Sequence, residues 1–457
     1  MSAAANAIPL TYSQRLARYI QSARFKDIDA AAVERTKHVI AYHVALACRG
    51  IREHEPDSQQ ALGVVRELNE GQGSSTLIGL PYRAPLADAA FVNCTLMRSF
   101  GLDDVIFPAG IHPGLVTVPV ALTLGERLHS SGAEVLNAIV IGYEILAKFG
   151  KWTWSAETPR RATMPFGAFG AVTVAARLLG LTEEQTSVAL GYAAHTAMGV
   201  AEGDAGPITH FYSMVCRNGI MGAYLARDGA WASPTTLEGR FGFIETFLGD
   251  TRVDIEELIA SLGRNYAIMT SHEKRYPGTA LNHVPIELMR TLVQQHRLRV
   301  PDVAEIRIEL PSERRNFAAS HSTGPFPQRI NAVASLPFQL GMLLLDGDLV
   351  YSRYSELTNP TLLGIARKCR CEFLEGRSIR YARLRVRTVD GREFVTEGER
   401  FSYEPEPAHV MLERDATGVL PPQQIENFLA LLARLEHLED VGELLHSLVP
   451  RDDRGQR

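Results

Sequence analysis

No apolar run in this chain approaches the roughly 18 residues that a membrane-crossing helix needs. Cysteine is also scarce, and neither sign of charge dominates. The five cysteines in 457 residues, Cys48, Cys94, Cys216, Cys369 and Cys371, are scattered and odd in number. Cys369-x-Cys371 lacks the spacing of a zinc knuckle or a thioredoxin-like redox pair, so the thiols read as reduced and mostly buried in a cytoplasmic protein. A formal net charge of -5 and a pI near 6.3 provide no broad basic face for nucleic acid or an anionic membrane. Ser13, Gln14, Arg15 and Arg18 stand where a secretory signal would need an unbroken apolar core. The glycines do not follow strands in a P-loop or dinucleotide-binding pattern. These absences leave a small-molecule ligand as the expected partner, with no metal, iron-sulfur cluster or nucleotide cofactor.

What is present is ordinary globular material, 46% hydrophobic and 22% charged, in a chain too long for one simple core. From about residue 29 to 262 the apolar period is helical almost throughout. Asp29 caps a helix carrying Val33, Ile40, Val44 and Ala47, which Gly50 is expected to stop. Ser131-Gly-Ala-Glu134 and Thr182-Glu-Glu-Gln185 are capping boxes ahead of two further helices. Small residues around 167 to 179 and 212 to 226 suit close helix packing.

After Arg264 the pattern changes. Glu305 to Leu310 and Ala382 to Val386 alternate as strands do, and Asp390-Gly391 is a hairpin turn before Phe394-Val395. Helical stretches at about 284 to 297 and 332 to 346 accompany them. Glu404-Pro-Glu-Pro-Ala408 leads back to a Leu-rich helical pattern over 422 to 448. The expected fold is mostly α. It has an all-helical domain of residues 1–264 with 405–457, discontinuous in sequence, and a smaller α/β domain of residues 265–404.

Between two apolar helical runs lies Ser99-Phe-Gly-Leu-Asp-Asp-Val-Ile-Phe-Pro-Ala-Gly-Ile-His-Pro-Gly114, which fits neither a helical nor a strand period. It places Asp103, Asp104 and His112 in a Gly/Pro-broken loop on a rigid scaffold, as the wall of a pocket. An imidazole titrates near neutrality and serves as a general acid or base, or it simply hydrogen-bonds loop carbonyls. Asp103 and Asp104 either act chemically, orient His112 or cap the next helix. Two adjacent aspartates and one histidine, with no further ligand at metal spacing, make a poor metal site.

The order and spacing of several short motifs resemble the MmgE/PrpD family, which includes 2-methylcitrate dehydratases, cis-aconitate decarboxylases and iminodisuccinate epimerase. The motifs are the Asp103-Asp104 pair with His112-Pro-Gly114, Gly142-Tyr143-Glu144, Phe169-Gly170 with Leu178 to Leu181, Leu237 to Phe243, Lys274-Arg-Tyr-Pro277 with His283, and Ser335 to Phe338 with Leu345 to Gly347. The resemblance spans nearly the whole chain. It implies a large helical domain with a smaller α/β domain, a homodimer through the helical part, no cofactor, and chemistry on a carboxylate-bearing substrate in a pocket between the domains.

Set against that pattern, Asp103, Asp104, His112, Lys274 and Tyr276 are retained. Lys274 then either pairs with a substrate carboxylate or serves as a second acid/base, against the plainer reading of an exposed lysine before a turn. Family members commonly carry an Asp and a Thr where this chain has Gly101 and Val105, a Phe-His where it has Arg160 and Arg161, and a Lys that is absent from Pro207 to Tyr212. Arg161 suits bidentate carboxylate binding or lies on a solvated loop. His210 and Tyr212 either replace the missing lysine or are packed. The expected activity is that of a cofactor-independent lyase abstracting a proton α to a carboxylate, with a preferred substrate other than 2-methylcitrate. A dicarboxylate epimerase or isomerase and an inactive ligand-binding member are the alternatives.

Overall fold

The computed structural model describes residues 9–107, 110–150, 163–197, 209–248, 254–400 and 404–450. The chain opens with α1 (Tyr12–Ser22), α2 (Ala30–Arg52) and α3 (Pro56–Leu68), then a short antiparallel pair, β1 (Ser75–Thr76) and β2 (Arg83–Ala84). Next come α4 (Leu86–Met97), α5 (Pro113–Leu128), α6 (Gly132–Gly150), α7 (Thr163–Leu178), α8 (Glu183–Thr196), α9 (Thr209–Arg227) and α10 (Ile255–Ser261). The caps follow the side-chain chemistry. Asp29 accepts from the amide of Ala32, Ser131 and Glu134 bond reciprocally, and Thr182 and Gln185 do the same. Gly50 does not end α2, which runs two residues further to Arg52. A side chain at position 50 would fall within the side chain of Ser99, so this glycine serves close approach rather than termination. α7 is central, packing on α5, α6, α8 and α9, and its buried Phe166 and Phe169 stack with Phe149 of α6.

The second part contains α11 (His283–His296), β3 (Val303–Pro311), α12 (Arg329–Ala334), α13 (Leu336–Asp346), α14 (Pro360–Ala366), β4 (Cys369–Leu374), β5 (Ala382–Thr388) and β6 (Glu393–Gly398). The sheet order is β4-β3-β5-β6, with β3 and β4 parallel and the other pairs antiparallel. Ile306, Ile308, Leu384 and Val386 form its buried face, beneath α11. Arg385 and Arg387 pair with Glu309 and Glu305 on the other face. The apolar run at 332 to 346 is broken at Ser335, whose hydroxyl caps α13 by accepting from Phe338. Cys369 and Cys371 lie in β4, a strand whose half-exposed alternation is too weak to read in the sequence.

The chain then returns to the helical body as α15 (Ala408–Ala416), α16 (Pro422–Ala433) and α17 (Gly442–His446). α15, where only a connection was expected, packs along α2, and α17 packs on α5. The buried Lys37 of α2 holds this return, donating to Glu436 and to the Ala433 carbonyl, each at 2.9 Å. Arg49 pairs with the buried Asp415. Among the described residues, no helix is long and apolar enough to cross a membrane.

Candidate active site

The loop after α4 turns back at Phe100 and Gly101, both at positive φ (55° and 67°). A bulky residue there is uncommon. Phe100 is held by burial of its ring under the Arg329 guanidinium and by its carbonyl, which accepts from Gly278 at 2.8 Å. Beyond the turn, Val105 and His272 exchange two main-chain hydrogen bonds of 2.8 Å. That bridge fixes the loop against the 271–276 segment. His112 then precedes α5, whose helix begins at Pro113 rather than beyond Gly114, because proline at the first helical position has no amide to leave unpaired.

Asp104 is the hub of the loop. It is fully buried, and its Oδ1 accepts from the Gly114 amide at 3.0 Å, capping α5. Its Oδ2 accepts from Tyr143 of α6 at 2.9 Å and from the Ser271 hydroxyl, and His43 Nε2 of α2 lies 3.4 Å from Oδ1. Burial pushes the carboxyl pKa up, but the bonds and charge from His43, with those from Ser271 and Tyr143, outweigh it and bring the value down to about 2. A Cβ at Gly114 would lie 2.7 Å from Asp104 Oδ1, so only glycine admits this cap.

Asp103 faces the other way, into a second polar cluster. Its Oδ1 is paired with Arg98 and lies 3.3 Å from Lys274 Nζ, which also donates to the Gly101 carbonyl at 2.8 Å. His112 Nδ1 lies 2.8 Å from Asp103 Oδ2 but directs its hydrogen bond to the Asp104 carbonyl at 2.7 Å. A carbonyl only accepts, so Nδ1 carries the proton and Nε2 has the lone pair. Burial, then the charges of Lys274 and Arg98, hold the His112 pKa well below its ordinary value, against the opposing pull of Asp104. That shift favours the neutral ring. Tyr212 packs edge-on against it at 6.3 Å between centroids, with the Arg98 guanidinium 5.2 Å over the tyrosine ring.

The structure thus brings together Asp103, Asp104, His112, Lys274 and Tyr212. Lys274 is 4% exposed, so it is not a solvated lysine before a turn. Tyr276 lies apart from His112, with its hydroxyl bonded to Glu287 and accepting from Arg290 at 2.8 Å. It lines a cleft of about 440 Å³ together with Lys274, Arg275, Arg290, Arg49 and Arg414. His112 is not among the residues lining that cleft. His210 is also elsewhere, its Nε2 3.1 Å from Gln60 Oε1 and its ring against Phe91. Two residues along a helix point about 200° apart, so α9 cannot aim both His210 and Tyr212 at the same place. Arg160 and Arg161 lie outside the described residues. Among the described residues, no three His, Cys, Asp or Glu side chains are arranged to hold a metal ion.

Residue patterns alone missed Arg98, Tyr143, Ser271 and His43 as members of this cluster. Tyr143 sits inside the Gly142-Tyr143-Glu144 motif, and Ser271 stands three residues before Lys274. Arg98 and His43 belong to helical runs and carry no local signal.

A helical body that holds a buried aspartate pair and a neutral histidine against a segment of the α/β part defines the class to which this chain is assigned. Residues 14–256 match the MmgE/PrpD N-terminal domain, more than half the chain, and the protein belongs to the MmgE/PrpD family of enzymes. Over 461 aligned residues, 92% of each chain, it is 25% identical to cis-aconitate decarboxylase of Aspergillus terreus. Over 313 residues, 64% of each chain, it is 27% identical to the cis-aconitate decarboxylase-like protein oryM of Aspergillus oryzae.

Proposed function

We propose that this protein is a lyase that removes a proton from the carbon next to a carboxylate of a small organic acid, with His112 Nε2 as the base. The observation that carries the reading is the state of His112: partly buried, neutral, and fixed through Nδ1 on the Asp104 carbonyl. A base held in one tautomer takes the proton without first losing one. The relatives named for cis-aconitate decarboxylation support a substrate of that carboxylate class. Lys274 and Asp103 hold the charge around the ring, while Asp104 fixes the loop. Arg161, Tyr212, His210 and Tyr276 are assigned to substrate binding; of these Tyr212 stands against His112, His210 and Tyr276 bond to other partners, and Arg161 lies outside the described residues. The enzyme is proposed to need no cofactor, to work in the cytoplasm as a homodimer, and to divide into a helical domain of residues 1–264 with 405–457 and an α/β domain of residues 265–404.

Epimerisation is the second reading. Gly101 and Val105 bear no acid, and reprotonation at the same carbon needs none for a departing hydroxyl. Incubation in deuterium oxide with cis-aconitate, citrate-like and aspartate-like acids separates the outcomes. A lyase yields an unsaturated or decarboxylated acid, whereas an epimerase incorporates deuterium without net loss of substrate. A protein that binds these acids but does neither would be a ligand-binding member and would end the proposal. Efficient dehydration of 2-methylcitrate would remove the claim of a different substrate.

A further inference from the structure

A cavity of about 310 Å³ lies where the last turns of α3 meet the β1–β2 pair, and none of the residues gathered around Asp103 and Asp104 lines it. Leu62 and Val65 of α3, Leu77 after β1 and Ala84 of β2 give it an apolar floor, all four buried. The walls are held by their own contacts. The amides of Asn69 and Gly71 donate to the Val65 and Arg66 carbonyls at 3.2 and 3.1 Å, and the Asn69 side chain donates to Asp88 at 2.9 Å. A Cβ on Gly73 would stand 2.0 Å from the Ala84 carbonyl carbon, so the loop after α3 lies with its backbone directly on β2. Glu126 of α5 fixes the hairpin from behind, accepting from the Thr76 amide at 2.8 Å. The space is therefore preformed, and its volume is at the small end for ligand pockets, enough for one ring or a short acyl chain.

The rim carries the charge. Arg66 lies over the Tyr82 ring, its guanidinium carbon 3.8 Å from the ring centre. That contact braces the cation through the ring face, while among the described residues the Arg66 side chain has neither a hydrogen bond nor an ion pair. Arg83 adds a second positive charge, but its Nη1 already donates to the Ser74 carbonyl and lies 3.3 Å from Glu126 Oε1. No aspartate or glutamate is among the lining residues. An open guanidinium fork matches one planar carboxylate, and the floor beneath it matches an apolar body.

We propose that this cavity is a second binding site, for a small monocarboxylate with an apolar body, its head on Arg66 and its body on the Leu62–Val65–Leu77–Ala84 floor. The site is separate from the one that His112 serves and does not depend on the reaction assigned there. Both halves of the ligand are required: a short acid such as acetate leaves the floor uncovered, and a neutral amide cannot engage the cation as an ion.

The test is calorimetric titration of the full-length protein with octanoate and with 3-phenylpropionate, which share the carboxylate and differ in the body. At least one should bind with a Kd of about 1 mM or tighter, and acetate and the matching neutral amide should each bind at least about tenfold more weakly. Arg66→Met should weaken the acid by about tenfold or more, the loss expected for a charge-assisted hydrogen bond, and Arg66→Glu should abolish binding. Arg66 is exposed, so both variants should fold, which circular dichroism checks. His112→Ala should leave the affinity within about twofold. Failure of both acids to bind, an amide that binds as tightly as its acid, or a folded Arg66→Glu variant with undiminished affinity would overturn the proposal. So would binding that is lost in His112→Ala and kept in Arg66→Glu, which would place the acid at the candidate active site instead.

Discussion

His112 and Lys274 stand on opposite oxygens of one buried carboxylate: His112 Nδ1 is 2.8 Å from Asp103 Oδ2, and Lys274 Nζ is 3.3 Å from Asp103 Oδ1. One comes from the loop between α4 and α5, the other from the segment ahead of α11. They meet because the Val105–His272 bridge ties those stretches together. Asp103 thereby transmits the lysine's position to the histidine. A change at either end is felt at the other through a medium where charge is poorly screened.

Replacing His112 with alanine is expected to lower turnover by roughly a hundredfold or more, the usual contribution of a general base. In the unmodified enzyme, kcat/KM should hold nearly constant as pH falls through 6.5, because the His112 pKa is depressed and the ring stays neutral. Arg98→Met removes a nearby positive charge, so the acid limb of the same profile should move to higher pH. A rate that already halves at pH 6.5 in the unmodified protein would contradict the environment described for this ring.

Lys274→Met breaks an ion pair in which neither partner is more than a few per cent exposed. Removing one member of a buried pair typically costs about 3–5 kcal/mol, but Arg98 remains on Asp103, so the expected loss lies at or below the lower end. Denaturant unfolding would measure it. The His112 pKa should rise in this variant, read by NMR of the ring protons. Unchanged stability together with an unchanged histidine titration would show that the lysine is not coupled to the ring.

How much of this was legible in the sequence follows from how local each signal is. Asp29, Ser131 and Thr182 announce helix starts because a cap is a contact with a partner within three residues. The Gly/Pro-broken loop likewise marks Asp103, Asp104 and His112 as candidates, since no regular period accommodates them. Gly50 misleads because the cue for a helix stop and the cue for close packing are the same residue, and only the position of Ser99 separates them. Arg98 and His43 obey the helical period and become site residues only through what the fold places opposite them. β4 is hidden for a related reason: a short strand with half-exposed faces leaves no clean alternation.

Gly114→Ala should disable the site without touching a reactive group. The added methyl would intrude on His43 and Tyr143 and stand 2.7 Å from Asp104 Oδ1, all on fully buried side chains. Overpacking of this kind costs about 1–3 kcal/mol, and the displaced Asp104 would release the carbonyl that orients His112. The expected result is a lower melting temperature together with a fall in kcat larger than the change in KM. A variant with full activity would mean that the Asp104 cap does not set the histidine's orientation.

Stability should fall in acid, with a sign set by two histidines. His283 is brought down to about 3 by burial and then by the charge of Lys274, and His112 is also depressed, so between those values and the ordinary 6.5 only the unfolded chain holds their protons. Each then contributes a slope of about 1.4 kcal/mol per pH unit, stability rising with pH. Buried Glu55, pushed up to about 7, works the other way between 4.5 and 7, where the folded form holds the extra proton. Above pH 4.5 Glu55 opposes the histidines, and below it His283 acts without that opposition. Asp104 joins it as pH falls from 3.8 towards 2. Urea unfolding midpoints should therefore drop gently from pH 6.5 to 4.5 and steeply below. A flat profile down to pH 4 would contradict the lowered pKa of both rings.

The outer face of α9 supports the proposed homodimer. Phe211, Met214, Met221 and Leu225 recur along one stripe of the helix and are 44%, 42%, 50% and 43% exposed. Val64 and Leu68 of the neighbouring α3 are more exposed still, at 53% and 67%. An apolar stripe continued across two adjacent helices is more than scattered surface hydrophobicity, and it gives a second copy a face to cover. Tyr212 lies between Phe211 and Met214 in sequence but points inward to His112, so the same helix would link the dimer contact to the base. Light scattering at micromolar concentration should return about twice the chain mass of 50.3 kDa. The double substitution Met221→Glu with Leu225→Glu should return the monomer mass, because two buried carboxylates without partners would oppose association. An unmodified protein already at the monomer mass would remove the dimer, and a double variant that stays dimeric would move the contact to another face.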